Sequence, residues 1–109
     1  MPMERLKKKT REELLWLYIL RLLLEGPAYA YELRDKIKDR FGWEPPLTTS
    51  YTVLYRLERK DFISGEWKKG NGRPKKYYQI TEKGRNLLKR GEKYLNDLQE
   101  KLFGDLDDF

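Results

Sequence analysis

The pattern of apolar positions along the chain predicts four helices and one β-hairpin. A nearly continuous apolar run over residues 14–24 has one polar member, Arg21. Thr10 and Glu13 have the spacing of a capping box, and Gly26-Pro27 is typical of a helix end. A helix that is apolar on all sides must be buried on all sides. Because one layer of a small domain cannot cover it, we expect a second subunit to do so.

The second helix is predicted over residues 30–40, where Ala30, Leu33 and Ile37 recur at helical spacing. Gly42 is expected to end it. The next residues, 43–47, contain two prolines, and a residue that precedes proline avoids the helical region. An extended connection is therefore expected before the third helix.

The third helix is predicted to run through Lys60, with Leu54 and Leu57 facing inward. Its first residues offer side-chain oxygens for an N-cap: Thr48, Thr49 and Ser50. On a helical wheel, the side opposite the leucines carries polar and basic residues, namely Thr49, Thr52, Arg56 and Arg59. This outward surface has the character of a DNA recognition helix.

A hairpin is predicted from strands over residues 62–69 and 75–80, with Asn71-Gly72 in the turn and Pro74 just before the second strand. Because the connection exceeds two residues, its tip should project. Five basic side chains and no acidic one lie between residues 68 and 76: Lys68, Lys69, Arg73, Lys75 and Lys76. Such a tip repels itself unless an anion such as a phosphate neutralises it.

The last helix is predicted from Thr81, as its N-cap, to about Phe103. Its apolar positions at steps of three and four form a heptad seam: Leu88, Gly91, Leu95, Leu98 and Leu102. Together with the apolar first helix, the seam favours a homodimer interface. The alternative is an ordinary amphipathic helix that packs only on its own domain.

These elements follow the order of a winged helix-turn-helix, a mainly α fold with a small β-hairpin. We assign residues 1–80 to this domain and residues 81–103 to a C-terminal dimerisation helix that packs on the same domain. Residues 104–109 form an acidic tail that we expect to fray.

Composition narrows the function classes. Lys and Arg total 24, Asp and Glu total 18, and the net charge is +6. Residues 48–80 hold 8 basic and 3 acidic residues, so this third carries +5 of the excess. The chain has no Cys and no His, which removes disulfides, thiolate nucleophiles, the usual general base and the commonest metal ligands. We expect no cofactor, no metal and no enzymatic activity.

The N-terminal region resembles a signal peptide only superficially. Glu12 and Glu13 separate the basic run from the apolar one, and Arg21 lies within it. The apolar run is also shorter than the ~20 residues that span a bilayer. We therefore expect a cytoplasmic protein with no membrane partner. Scarce Asn, Gln and Met with abundant Lys and Glu are typical of heat-stable proteins.

The favoured function is sequence-specific binding of double-stranded DNA by a homodimer. The candidate contacts on the recognition helix are Thr49, Ser50, Thr52, Tyr55, Arg56 and Arg59. Of these, Thr49, Thr52 and Arg56 are the candidates for base edges. The basic cluster of the hairpin would contact phosphates or the minor groove. The alternatives are a winged-helix protein-interaction module and, more weakly, an RNA-binding protein.

Several segments resemble PadR-type transcriptional regulators. They are the apolar run with Gly26-Pro27 and Tyr31-Glu32-Leu33, then Tyr51, Leu54 and Leu57-Glu58, and finally the stretch from Gly72 to Gly84. The resemblance extends from Leu14 to about Leu88, and the chain is similar to the compact branch with one C-terminal dimerisation helix. The family commonly has Gly at the positions of Ala30 and Asp61.

The resemblance implies a homodimeric repressor whose affinity for DNA responds to a ligand. In this family, small aromatic or cationic compounds are often bound between the subunits, near the first and last helices. The candidate pocket residues in this chain are Trp16, Tyr18, Tyr94 and Phe103. The alternative is that these four are plain aromatics of the dimer core.

Overall fold

The computed structural model describes residues 1–106 and contains five helices and one hairpin in that range. The elements are α1 (Pro2–Arg11), α2 (Leu15–Leu23), α3 (Ala30–Phe41), α4 (Leu47–Arg59), β1 (Ile63–Lys68), β2 (Lys75–Ile80) and α5 (Glu82–Phe103). The predicted mainly α winged-helix architecture is confirmed. The part of the predicted acidic tail over residues 107–109 lies outside the described residues.

The predicted capping box at Thr10 is wrong, because Thr10 lies inside α1. Its hydroxyl donates to the carbonyl of Leu6 at 2.8 Å, so the side chain is satisfied within a helix. Glu13 pairs with Lys9 at 2.6 Å instead of reaching back to a cap. The helix path breaks at residues 12–14, between α1 and α2. The apolar pattern could not indicate α1, since none of its residues is buried in the chain.

The core is built around α2, which packs between the other elements. Five of its nine residues are buried within the single chain, although Leu24 stays exposed. The expectation that one domain could not cover this helix was therefore too strong. The surrounding buried residues come from α3, α4 and the hairpin: Leu33, Ile37, Leu54, Leu57, Ile63, Tyr78 and Ile80.

The start of α4 also differs from the prediction. Pro46, in an extended conformation, is the N-cap, and no side chain caps the helix. Ser50 donates its hydroxyl to the Pro46 carbonyl at 2.9 Å and is only 3% exposed. None of the three predicted N-cap side chains fills that role, because the helix begins before them at Leu47. The predicted helix end at Gly42 is confirmed by its left-handed φ of 75°.

The hairpin is antiparallel, with a register from Ile63 opposite Ile80 to Lys68 opposite Lys75. Residues 69–74 form the connection beyond the paired strands. Ala28, just before α3, exchanges two backbone hydrogen bonds with Tyr78, 2.8 and 3.0 Å long. This bridge fastens the hairpin to the three-helix core, so the wing has a defined position beside α4.

The apolar seam of α5 divides into two parts. The predicted N-cap is confirmed, since Thr81 Oγ1 accepts from the Gly84 amide at 3.1 Å. Leu88 packs partly buried on the core, and Gly91 faces Leu17 and Trp16 of the same chain. The remaining seam residues are exposed: Leu95, Leu98 and Leu102. The helix thus projects from the domain, consistent with a radius of gyration of 16.0 Å, where a compact domain of this size would have about 13 Å.

Candidate nucleic-acid interface

The outer side of α4 is polar and exposed, as the helical wheel predicts. Four of the predicted contact residues point to solvent: Thr52, Tyr55, Arg56 and Arg59. Thr49 is half-buried, and the buried, hydrogen-bonded Ser50 has no side chain available at the surface. Thr48 is exposed one turn before Thr52 and joins this face. The sequence predicts Thr48 only as a capping residue, although the helical wheel places it on the outer side.

The chemistry of this face suits the edges of base pairs. Thr52 Oγ1 donates to the Thr48 carbonyl at 3.0 Å, which leaves its lone pairs to accept from a base amino group. Arg56 and Arg59 form no ion pair with any residue in the range 1–106. Their guanidinium groups are therefore available to fork onto guanine or to bind phosphate.

The basic residues of the wing fall into two groups. Lys68, Lys69, Arg73 and Lys75 are exposed. Lys76 is half-buried, and its Nζ lies 2.7 Å from Glu58 Oε1 of α4. The hydrogen bond to Glu58 raises the pKa of Lys76 above its usual value. Lys76 is thus neutralised by α4 and holds the wing against it.

Gly65 of β1 makes room for this ion pair. A Cβ built on Gly65 would collide with the side chain of Lys76 and would lie 2.9 Å from Glu58 Oε2. Both contacts are with the far ends of flexible side chains, so a larger residue at this position would displace the ion pair rather than clash with the backbone. Gly65 thus leaves the space that the pair of Lys76 and Glu58 occupies between the wing and α4.

Two of the exposed lysines rest on tyrosine rings. Lys75 Nζ lies 4.3 Å from the centroid of Tyr29, and Lys68 Nζ lies 5.4 Å from that of Tyr77. The two rings meet edge to face, with centroids 5.4 Å apart. Cation–π contacts at exposed sites contribute roughly 0.5–1 kcal/mol. These contacts order the lysines while their charges stay uncompensated by carboxylates.

A groove of about 610 Å³ separates α4 from the hairpin. It is rich in aromatic side chains, with basic residues along the hairpin: Tyr29, Tyr31, Tyr51, Tyr55, Trp67, Tyr78, Arg73, Lys75 and Lys76. One wall is α4 and the other is the wing, and Tyr55 is the predicted α4 contact that lines this groove. Thr49, Thr52 and Arg56 line a different groove, beside α2 and α5. Trp67, Tyr31 and Tyr51 were not among the predicted site residues, since they lie far apart in the sequence.

The four predicted effector residues do not form one site within the chain. Tyr18 packs edge to face on Phe41 and Trp43, and its hydroxyl donates to the Thr10 carbonyl at 2.9 Å. Trp16 lines a different groove beside α4, while Tyr94 and Phe103 are exposed on α5. A pocket that uses all four would require a second subunit.

The described residues contain neither a cluster of candidate metal ligands nor a helix that could span a membrane. Over residues 1–106, the acidic side chains form no group of three or more that could hold a metal ion. No helix in the same range is long and apolar enough to cross a bilayer.

The decisive comparison is with protein families. The model of the transcriptional regulator PadR-like family matches residues 19–90, most of α2 through the first part of α5. This chain belongs to the PadR-like family. The PadR-like match covers α4, the wing and the groove between them, which are the elements that form the candidate interface.

Solved structures of other regulators agree with the PadR-like assignment. A PadR-like transcription factor from Bacteroides fragilis is 33% identical, with a TM-score of 0.77 over 90% of this chain and 95% of that one. A PadR family regulator from Eggerthella lenta is 27% identical, with a TM-score of 0.85 over 98% and 94%. PadR of Bacillus subtilis, solved with operator DNA, is 26% identical, with a TM-score of 0.66 over 71% and 45%. This chain spans under half the length of that last protein.

One departure of this PadR-like chain from the family pattern has a visible structural consequence. Asp61, which follows α4 where the family commonly has Gly, adopts a left-handed φ of 65°. Asp tolerates this region better than most residues, so the turn into β1 is kept.

Proposed function

We propose that this PadR-like transcriptional regulator binds double-stranded DNA sequence-specifically, with α4 in the major groove and the wing on the adjacent backbone. The observation that carries the proposal is the placement of two suitable surfaces on neighbouring elements: α4 exposes a Thr and Arg face, and the wing beside it exposes uncompensated basic residues. The ion pair of Glu58 with Lys76 holds the wing against α4. The B. subtilis relative solved with operator DNA supports the same function. Base-edge contacts are assigned to Thr48, Thr52 and Arg56.

The proposal includes a homodimer that forms through the distal half of α5. Leu95, Leu98 and Leu102 expose a continuous apolar stripe on a helix that projects from the domain. Exposed Met3 and Leu6 on α1 offer further apolar surface. Burying such a stripe against a second copy removes about 25 cal/mol per Å² of apolar area from water. Two copies of α4 would then read half-sites about one helical turn apart, ~34 Å.

We extend the proposal to cytoplasmic repression with a ligand response. An aromatic or cationic effector would bind where the two subunits meet, because Tyr94 and Phe103 lie on the projecting part of α5. A compound that binds there would change the separation of the two α4 helices. DNA affinity measured with and without candidate compounds tests this part.

The test of DNA binding is selection of duplexes from a random pool, followed by anisotropy titrations over a range of salt. We expect a palindromic motif and an affinity that falls by ~10³–10⁵ between 50 and 200 mM salt if the dimer contacts ~6–10 phosphates. Arg56→Ala should relax the motif at one position in each half-site. A protein that enriches no motif and binds no duplex at low salt would refute the proposal and favour the protein-interaction alternative.

A further inference from the structure

The groove between α4 and the hairpin exposes a cluster of large aromatic side chains to solvent. Four of its lining side chains are largely accessible: Tyr31 at 52%, Tyr51 at 46%, Tyr55 at 62% and Trp67 at 67%. These side chains are separate from the apolar stripe on α5. Dimerisation through α5 would therefore leave this aromatic surface exposed.

The hydroxyl groups of these tyrosines have no partner in the described part of the chain. Tyr18 is the one tyrosine whose hydroxyl makes a hydrogen bond there. Tyr31, Tyr51 and Tyr55 therefore keep free donors at the rim of the groove. Tyrosine combines an apolar ring with such a donor, so it suits a ligand that is apolar and anionic at once.

The charge of the groove selects an anion. Glu58 is the acidic residue that lines it, and Lys76 neutralises it at 2.7 Å. Arg73 and Lys75 add positive charge with no carboxylate partner among residues 1–106. The groove thus offers tyrosine donors and cations to an anionic group, and ring faces to an apolar one.

A nucleic-acid strand has this alternating chemistry, since phosphates alternate with deoxyribose rings. When a helix enters the major groove and a wing contacts the neighbouring backbone, one strand must pass between them. Tyr51 and Tyr55 lie one turn apart on the side of α4 that faces the wing. The groove is therefore placed where that strand would run.

We propose that this aromatic groove seats one sugar–phosphate strand of the bound duplex, with Tyr31 and Tyr51 donating to phosphate oxygens and Trp67 packing on a deoxyribose. The inference rests on the proposed DNA binding and adds residues whose contacts with the DNA backbone do not distinguish one base sequence from another. Tyr31, Tyr51 and Trp67 set the register of α4 on the duplex, while Thr52 and Arg56 read bases.

The test uses full-length Tyr51→Phe and Tyr31→Phe, because each change removes one hydroxyl and leaves the ring. We expect each variant to bind the selected duplex and a random duplex more weakly by the same factor, about tenfold per subunit or about a hundredfold for the dimer, since each subunit loses one hydrogen bond to a charged group. The dependence on salt should keep its slope, since no charge is lost. Ser64→Ala, which removes a hydroxyl from an exposed position of β1 outside this groove, is the control and should bind as the parent protein does.

A scan with methylphosphonates identifies the contacted phosphate. Each duplex carries a symmetric pair of neutral methylphosphonates, one in each half-site, in place of the corresponding phosphates. At one such pair of positions, Tyr51→Phe should cause no further loss, because both of its partners are already absent. Binding of DNA should also change the tryptophan fluorescence of the parent protein, and Trp67→Phe should abolish that change while Trp16 and Trp43 remain.

The outcomes separate this inference from the proposed function. If the parent protein binds the duplex while both tyrosine variants bind as tightly, the inference is refuted and the function stands. Additive effects of Tyr51→Phe and methylphosphonate at every position would also overturn it. If the parent protein binds no duplex, both proposals fail together.

Discussion

Two adjacent lysines of the wing, Lys75 and Lys76, should differ in what they contribute to DNA affinity. Lys75 is exposed and rests 4.3 Å from the ring centroid of Tyr29. Lys76 is half-buried and paired with Glu58 at 2.7 Å. The informative comparison is Lys75→Gln, which removes one charge, against Glu58→Gln combined with Lys76→Gln, which removes a neutral pair. Both perturbations keep the side chains polar and close to their original length.

The magnitude follows from counterion release. Each phosphate contact contributes about 0.9 to the slope of log affinity against log salt. One contact therefore makes the affinity at 0.1 M salt roughly eightfold higher than at 1 M salt. Lys75 must leave the ring of Tyr29 to reach a phosphate, and that contact is worth roughly 0.5–1 kcal/mol. We therefore expect Lys75→Gln to reduce affinity at 0.1 M salt by about two- to fourfold per subunit, or about four- to sixteenfold for the proposed dimer, and to reduce the slope by about 2.

The double variant at Glu58 and Lys76 should keep the slope of the parent protein, because Lys76 stays bound to α4 and releases no counterion. Its affinity should fall by the same factor on all sequences, since the wing loses its link to α4. Anisotropy titrations at four or five salt concentrations measure both quantities. A slope reduced by about 2 in the double variant would mean that Lys76 leaves Glu58 for a phosphate in both subunits, and the reasoning from the ion pair would be wrong.

Three further predictions concern stability, pH and assembly. Gly84→Ala should destabilise the protein by about 1–3 kcal/mol, because the new methyl group falls on the backbone carbonyl of Phe62. Gly91→Ala should be nearly neutral, since the nearest neighbour is a side-chain methyl group at 3.0 Å and helix propensity improves by ~1 kcal/mol. Equal shifts of the melting temperature in the two variants would contradict this. The pKa of Lys76 is raised by Glu58 and that of Tyr78 by burial. The contribution of these two groups to the free energy of unfolding should therefore be constant below pH 10, the lower of the two unfolded values, and fall as pH rises beyond it; stability that rises above pH 10 would refute the assignment. Leu95→Glu should yield monomers in sedimentation experiments, while the neighbouring Asn96→Glu variant stays dimeric. If both variants are dimeric, α5 does not form the dimer interface.

The sequence misplaced the first part of the chain for an identifiable reason. Thr10 and Glu13 satisfy the spacing of a capping box, yet Thr10 bonds back to Leu6 and Glu13 to Lys9, both one turn earlier. The same residue types can cap a helix, or lie inside it with their side chains hydrogen-bonded to the preceding turn, and only packing decides between the two. Ser50 repeats the case at the start of α4, where it is buried and donates to Pro46.

Signals that act between near neighbours in the chain determined most of the fold. Gly42 ends α3, Thr81 caps α5, and the apolar periodicity of α3 and α4 identifies their buried faces. These features depend on backbone conformation and on residues three or four positions apart, so they are readable without coordinates. The basic wing and the polar face of α4 were also visible at this level.

Tertiary structure alone decided which of these residues are free to act. Glu58 and Lys76 are 18 positions apart, and only the packing of the wing on α4 brings them together and removes Lys76 from the uncompensated charges. Tyr31, Tyr51 and Trp67 come from three different elements and meet at one groove. Local periodicity carries no information about such meetings, because they depend on how whole elements pack against one another.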